Sequence, residues 1–194
     1  LEQIMDSFAE QGCNKFYISI NHKSDMIKYY ISGQKNEIYN IEYIEEDKFL
    51  GTAGSLSLLK EKIQSTFFVS NCDILVDQDL SDILNFHKSN KNDITIVSAM
   101  MNIKIPYGVL ETNNNGLLIN IIEKPDLFFK INTGLYLLEP KVLKDIPDNE
   151  PFDITDLAQK LLNEKRKVGI FPVSEKSWKD MGNWDEFLRQ AKIR

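Results

Sequence analysis

The sequence predicts an α/β protein built on a doubly wound mixed sheet, predominantly parallel with antiparallel members, and two observations predict it. Through the first part of the chain, short β-favouring apolar runs alternate with segments of helical period. Parallel pairing follows, because each crossover needs a connection of helix length. The handedness of such crossovers then places helices on both faces of the sheet. From Ile94 onward the pattern changes to strand-like runs with short connections, which brings in antiparallel neighbours.

The elements follow in order. Leu1, Ile4, Met5 and Phe8 stand at i, i+3, i+4 and i+7, and Gly12 supplies a stop, so a helix opens the chain. It opens with no cap and no Met, which implies a fragment or an incomplete gene model. Phe16 to Ile20 reads as a buried strand. Ser24 caps a short helix carrying Ile27, Tyr30 and Ile31, and Gly33 ends it. A second strand covers Ile41 to Ile44. Leu50-Gly51-Thr52-Ala53-Gly54 leads into a helix with Leu56, Leu59 and Ile63 on one face. A third strand, Thr66 to Val69, runs into Asn71-Cys72-Asp73, and a helix with Leu80, Ile83, Leu84 and His87 follows. Strands are then expected at Ile94–Met101, Gly108–Glu111, Leu117–Glu123 and Ile131–Leu138, with Asn113-Asn114-Asn115-Gly116 as a turn. Asp153 opens a helix whose Ile154, Leu157, Leu161 and Leu162 share a face, and Val168–Val173 is a further strand. Asn183 and Glu186 resemble a capping box for a last helix with Trp184, Phe187, Leu188 and Ala191 on one side. No repeat, low-complexity tract or linker interrupts this order, so residues 1–194 are read as one domain.

Composition narrows the function. The chain has 194 residues, 42% hydrophobic and 27% charged, the balance of an ordinary globular protein. A net charge of −6 argues against a general nucleic-acid surface. No apolar run approaches the roughly 20 residues that cross a bilayer. Cys13 and Cys72, the two cysteines, have no metal-ligand spacing and fit a reducing compartment such as the cytoplasm.

In open α/β sheets, ligands bind beyond the carboxyl ends of the strands, and four places there carry chemistry. Gly51-Thr52-Ala53-Gly54 allows close backbone approach to an anion, or is a turn with Thr52 as N-cap. Asp73 ends an apolar strand, where a carboxylate either ligates Mg²⁺ or accepts backbone N–H groups in a turn. Glu123-Lys124-Pro125 offers an acceptor for hydroxyls and a cation for phosphate, or is a solvated pair at a turn. Asp180-Met181-Gly182 aims a carboxylate, or is turn chemistry. His87 lies on an apolar helix face and is expected to be a satisfied, partly buried residue.

As an ordered set, Leu50-Gly51-Thr52-Ala53-Gly54, Asn71-Cys72-Asp73, Tyr107-Gly108-Val109-Leu110, Glu123-Lys124-Pro125, Asn132-Thr133-Gly134-Leu135-Tyr136 and Asp180-Met181-Gly182 resemble the sugar-1-phosphate nucleotidylyltransferase family over essentially the whole chain. Leu-Gly-Thr-Ala-Gly and Asp-Met-Gly-Asn-Trp are similar to the mannose-1-phosphate guanylyltransferase-like members. The resemblance implies a Rossmann-like fold and a reaction in which a sugar 1-phosphate and a nucleoside triphosphate give a nucleotide sugar and pyrophosphate. It implies that Gly51, Thr52, Ala53 and Gly54 lie along the nucleotide and that Asp73 and Asp180 hold Mg²⁺. It further implies that Gly108 meets the sugar through its backbone, Glu123 and Asn132 bind sugar hydroxyls, and Lys124 binds the sugar phosphate. The family commonly forms homo-oligomers.

The family begins with a strand, a Gly-rich loop containing an essential Arg, and a Lys-Pro segment. This sequence has none of them and starts where the family's first long helix would, so the chain alone is expected to be poorly stable and weakly active or inactive. Two other classes fit less well. A regulatory subunit that senses nucleotide sugars would not need both aspartates. A glycosyltransferase of related architecture usually carries an Asp-x-Asp cluster, and Asn71-Cys72-Asp73 lacks the first Asp.

Overall fold

A computed structural model describes residues 1–33 and 39–182. The last helix expected from Asn183 onward lies outside the described residues. Helix α1 (Glu2–Ala9) buries Ile4 and Met5, and Gly12 follows at φ 88°, as the apolar spacing and the stop signal require. Strands β1 (Lys15–Ile20) and β2 (Asn40–Glu45) pair in parallel, with α2 (Ser24–Gly33) between them in the chain. β1 is less buried than its apolar run predicts. Only Ile20 is fully buried, because β2 is the only strand hydrogen-bonded to it among the described residues.

The main sheet has the order β3 (Phe67–Ser70), β8 (Asp126–Leu138), β5 (Ile94–Lys104), β9 (Val168–Ser174). β8 is antiparallel to both β3 and β5, and β9 is parallel to β5. Three strands therefore run one way and β8 runs against them. The mixed α/β class and the shared strand direction match the sequence, whereas the pairing along β8 is antiparallel because the chain returns from β5 through a hairpin. That hairpin is β6 (Val109–Thr112) with β7 (Leu118–Ile122). Its turn is closed by Asn113, whose Oδ1 accepts from the Asn115 and Leu117 amides, and Gly116 takes φ 77°.

Layers cover both faces. On one side, Leu157 and Leu161 of α5 (Ile154–Asn163) pack with Val142, Leu143 and Ile146 against Ile94, Tyr136 and Leu138. On the other, Leu80 and Ile83 of α4 (Leu80–Asn90) and Trp178 pack against Val97, Ala99, Leu135 and Leu137. The alternation of Leu135, Tyr136, Leu137 and Leu138 between the two cores is the period-2 geometry of a strand covered on both faces. His87 is buried and satisfied as expected, its ring nitrogens 2.8 Å from Thr95 Oγ1 and 3.2 Å from Glu139 Oε1.

Two helix expectations need correction. The segment after Leu50 is not one regular helix: α3 covers only Gly51–Gly54, and a 3₁₀ turn covers Ser55–Leu59. Two glycines in one turn weaken the α-helix, and Leu56 and Leu59, three apart, eclipse on one side of a 3₁₀ turn. On α5, Ala158 and not Leu162 completes the buried face; Leu162 is exposed. No described helix is long and apolar enough to cross a membrane.

Candidate active site

Asp73 and Asp180 are 107 positions apart in sequence, yet they meet. Strand β4 (Ile74–Val76) pairs antiparallel with β10 (Trp178–Asp180), and Asp180 stands opposite Ile74. That register sets Asp180 beside Asp73, and the Met181 amide closes the join by donating to the Asp73 carbonyl at 2.7 Å. Trp178 fixes the far end of β10 by donating its indole N–H to Thr133 O at 3.2 Å. A Cβ added at Gly182 would collide with Asp73 Oδ2 and stand 3.3 Å from Asp180 Oδ1, which also accepts from the Gly182 amide at 2.9 Å in a local turn, so both carboxylates lie against Gly182.

Two hard, anionic groups side by side fit Mg²⁺, which takes one or two protein carboxylates and completes its shell with water and substrate phosphates. No set of three or more His, Cys, Asp or Glu residues with metal-site geometry occurs among the described residues.

The turn that carries Asp73 also carries a second contact. Asn71 donates its amide to Gly134 O at 3.0 Å, and its side chain lies where a Gly134 Cβ would be, 2.8 Å from Nδ2. Gly134, at φ 86°, donates to Asn132 Oδ1 at 3.2 Å, and Asn132 Nδ2 donates to the Tyr136 hydroxyl at 2.7 Å. Asn71, Gly134, Asn132 and Tyr136 thus form one polar cluster at the base of β8. Burial raises the Tyr136 pKa, and the Asn132 hydrogen bond works against that shift. Ser98, paired with Asn132 across the sheet, buries a hydroxyl with no hydrogen-bond partner among the described residues. Asn71 and Tyr136 entered the sequence argument only as parts of motifs. The spacing of Asn132 and Tyr136, four apart on one strand face, was the signal that could have joined them.

Gly108, Glu123 and Lys124 form a third group. Glu123 Oε2 lies 3.0 Å from a Cβ added at Gly108, and Lys124 Nζ is 3.8 Å from Glu123 Oε1. All three are exposed. The chain runs on from here as β8, so Lys124 is separated from Asn132 by roughly 25 Å at ~3.3 Å per residue. The structure brings Asp73 to Asp180 and both close to the Asn132 cluster, but it holds Gly108, Glu123 and Lys124 apart.

Gly51–Gly54 has a structural task that the sequence did not reveal. The Thr52 amide and hydroxyl donate to Asp153 Oδ1 at 2.9 and 3.1 Å, and the Ala53 and Gly54 amides donate to Phe152 O at 2.9 and 3.0 Å. Thr52 does not cap its own helix. Its Oγ1 accepts from the Ile154 amide at 2.9 Å and caps α5 instead. The amides are thus engaged within the chain, and Gly51 and Thr52 are the members left open to solvent. Gly51→Ala would set a Cβ 2.8 Å from both Asp153 Oδ1 and Phe152 O at φ 74°. We expect a loss of about 1–3 kcal/mol in urea unfolding; an unchanged midpoint would mean that this contact is not tight.

Comparison with known proteins gives the family. Residues 1–193 match the family described as nucleotidyl transferase. The chain is 32% identical over 197 residues to mannose-1-phosphate guanyltransferase 2 of Candida glabrata, covering 97% of this chain and 54% of that protein. It is 30% identical over 196 residues to mannose-1-phosphate guanyltransferase of Saccharomyces cerevisiae, covering 97% and 54%. It spans about half the length of these relatives. Its fold is similar to HddC from Yersinia pseudotuberculosis complexed with GMP-PN, with a TM-score of 0.72, 22% identity and coverage of 99% of this chain and 84% of that one. With both the match over 1–193 and the relatives at 30% identity or above, the chain belongs to the nucleotidyl transferase family, among the sugar-1-phosphate nucleotidyltransferases.

Proposed function

We propose that the chain carries the metal-binding and sugar-binding part of an enzyme that joins a sugar 1-phosphate to a nucleoside triphosphate, releasing pyrophosphate, and that the reaction is guanylyl transfer to a mannose- or glucosamine-type sugar phosphate. The meeting of Asp73 and Asp180 at Gly182 carries the reading. In such a transfer, a sugar-phosphate oxygen attacks the α-phosphorus while pyrophosphate departs. Several anionic oxygens must share a small volume, so the reaction is limited by charge and alignment, and no protein nucleophile is needed. Mg²⁺ held by Asp73 and Asp180 would offset that charge and orient both phosphates.

The remaining residues position substrate. Asn132, fixed by Tyr136 and Gly134, presents an amide to sugar hydroxyls. Gly51 to Gly54 lie along the nucleotide, with Gly51 and Thr52 as the open members. Gly108 meets the sugar through its backbone, Glu123 binds sugar hydroxyls and Lys124 binds the sugar phosphate. The relatives' names supply the guanylyl and mannose assignment. A soluble nucleotide substrate puts the protein in the cytoplasm, and its product would feed polysaccharide or glycan assembly.

The test is Mg²⁺-dependent pyrophosphate release from GTP, UTP, dTTP, CTP and ATP, each with mannose-, glucose- and glucosamine-1-phosphate. It is run on the chain alone and on the chain joined behind the Gly-rich segment of a family member. Turnover of GTP with one sugar phosphate, abolished by chelation, is the expected result. Binding of a nucleotide sugar without turnover of any pair would replace the catalytic reading with a regulatory one.

A further inference from the structure

The ladder between β5 and β8 is interrupted at one place. Ile96 pairs with Tyr136 and Ser98 with Asn132, so Thr133, Gly134 and Leu135 stand opposite Val97 alone. The Thr133 hydroxyl fastens this bulge by donating to Val97 O at 2.8 Å, and Gly134 turns at φ 86°. Bulges re-aim side chains, and here Asn132 is brought within 2.7 Å of the Tyr136 hydroxyl. Ser98 lies against the same bulge. Val97 and Ala99, on either side of it, belong to the core beneath α4, so by alternation Ser98 points to the other face, with Ile96 and Tyr136. Paired residues of antiparallel strands hold their Cβ atoms about 5 Å apart on one face, which makes Ser98 and Asn132 neighbours.

Ser98 is 3% exposed, and its hydroxyl is a buried side-chain group with no hydrogen-bond partner among the described residues. Such a group lowers stability, whereas an alanine there would not. Ile94 and Ile96 keep this face of β5 otherwise apolar. We propose that Ser98 is a positioning residue for the sugar: its hydroxyl donates to Asn132 Oδ1 when a sugar hydroxyl engages the Asn132 amide. The proposal rests on the reading of Asn132 as a binder of sugar hydroxyls. An amide side chain has two hydrogens and two lone pairs to offer. Asn132 gives one hydrogen to Tyr136 and one lone pair to the Gly134 amide, the second bond being long at 3.2 Å. One hydrogen is left for a sugar oxygen and one lone pair for Ser98. The two ends of a rigid amide move oppositely. As Nδ2 turns outward to the sugar, Oδ1 turns inward toward β5, where the Ser98 hydroxyl stands. A bond accepted at Oδ1 also polarises the N–H that meets the sugar.

Two measurements on the chain test this together: titration calorimetry with mannose 1-phosphate and glucosamine 1-phosphate in the presence of Mg²⁺, and urea unfolding without ligand. Ser98→Ala should weaken the tighter-binding sugar phosphate about 5–10-fold, the worth of one neutral hydrogen bond. It should also raise the urea midpoint, because it removes a buried hydroxyl that the free chain leaves unpaired. A merely structural serine would instead lose affinity and midpoint together, and that result would overturn the proposal. Asn132→Ala should weaken binding at least as much as Ser98→Ala, and in its background Ser98→Ala should add nothing. A further loss there as large as in the unaltered chain would overturn the proposal, since Ser98 would then not act through Asn132. Binding lost in Asn132→Ala but kept in Ser98→Ala would sink the Ser98 role alone. No sugar-phosphate binding by the unaltered chain, or full binding by Asn132→Ala, would remove the sugar reading of Asn132 and this proposal with it.

Discussion

In the chain joined behind the Gly-rich segment of a family member, Asp73→Ala and Asp180→Ala should each cut Mg²⁺-dependent pyrophosphate release by about 10³-fold or more, the several kcal/mol that a metal's charge would supply to such a transition state. Both carboxylates approach the place a Gly182 Cβ would occupy, and no third acidic or imidazole ligand joins them in a metal-site group among the described residues. Losing either one halves the protein's share of the metal shell. Asn at either position keeps the shape and removes the charge, so Asp73→Asn and Asp180→Asn should be nearly as inactive as the alanine variants. Excess Mg²⁺ should recover part of the loss in each, because substrate phosphates still supply ligands. The exposed Glu61→Ala should stay within twofold of the unaltered protein. An aspartate variant that keeps more than about a tenth of the activity would remove that residue from the metal site, since a tenfold change is only about 1.4 kcal/mol.

The largest stability effect is expected from a different carboxylate. Asp93 begins β5 with its side chain 7% exposed, accepts from Arg166 Nε at 2.8 Å and pairs with Lys141. Arg166 also reaches Asp145, with Nη1 to Oδ2 at 2.5 Å. Asp93 further bonds the Lys167 carbonyl and the Glu139 amide through its backbone, at 2.7 and 3.0 Å. One residue thereby ties the starts of β5 and β9 to the end of β8. Lys141 is 62% exposed and adds little; Arg166 is the partner that matters. Asp93→Ala removes the carboxylate shared by Arg166 and Lys141, while Arg166 keeps Asp145, and should cost about 1.5–3 kcal/mol in urea unfolding at neutral pH. Burial raises the Asp93 pKa, but the Lys141 and Arg166 hydrogen bonds outweigh burial and hold it below the ordinary 3.8. A depressed folded pKa means that the contribution is complete above the unfolded value and is lost as pH falls through the folded one. The gap between the unaltered protein and Asp93→Asn should therefore be widest near neutrality and close below pH ~3.8. A cost under about 1 kcal/mol for Asp93→Ala would show that solvent already screens the pair.

What the sequence discloses depends on how local each cause is. Apolar period placed α1, α4 and α5, and Asn113 to Gly116 announced the hairpin, because spacing and turn chemistry act within a few residues. Burial was less legible. Phe16 to Ile20 looks like a covered strand, but its cover depends on what lies beside β1. Leu56 and Leu59 suggest a helix, yet their backbone is shaped by the distant contact of Gly51 and Gly54 with residues 150–153. The Asp73–Asp180 pair came from motif order, since nothing local to either residue shows that β10 would lie on β4. Thr52 illustrates the limit: its type predicts a cap, but only the tertiary structure shows that the capped helix starts at Ile154, about a hundred positions later.

The β4–β10 pairing has a consequence for how long the carboxylate pair lasts. β10 is three residues long and is anchored by Trp178 at the end away from Asp180. Stability is not uniform across a structure, and short edge elements open locally at far less cost than the core. Opening would break the Met181 amide bond to Asp73 O and part the two carboxylates while both cores stay packed. A cation held by Asp73 and Asp180 would bind only the closed form, so by mass action it would hold β10 in place as it binds. Occupancy of the site and the pairing of β10 with β4 would then be one equilibrium, each reporting on the other.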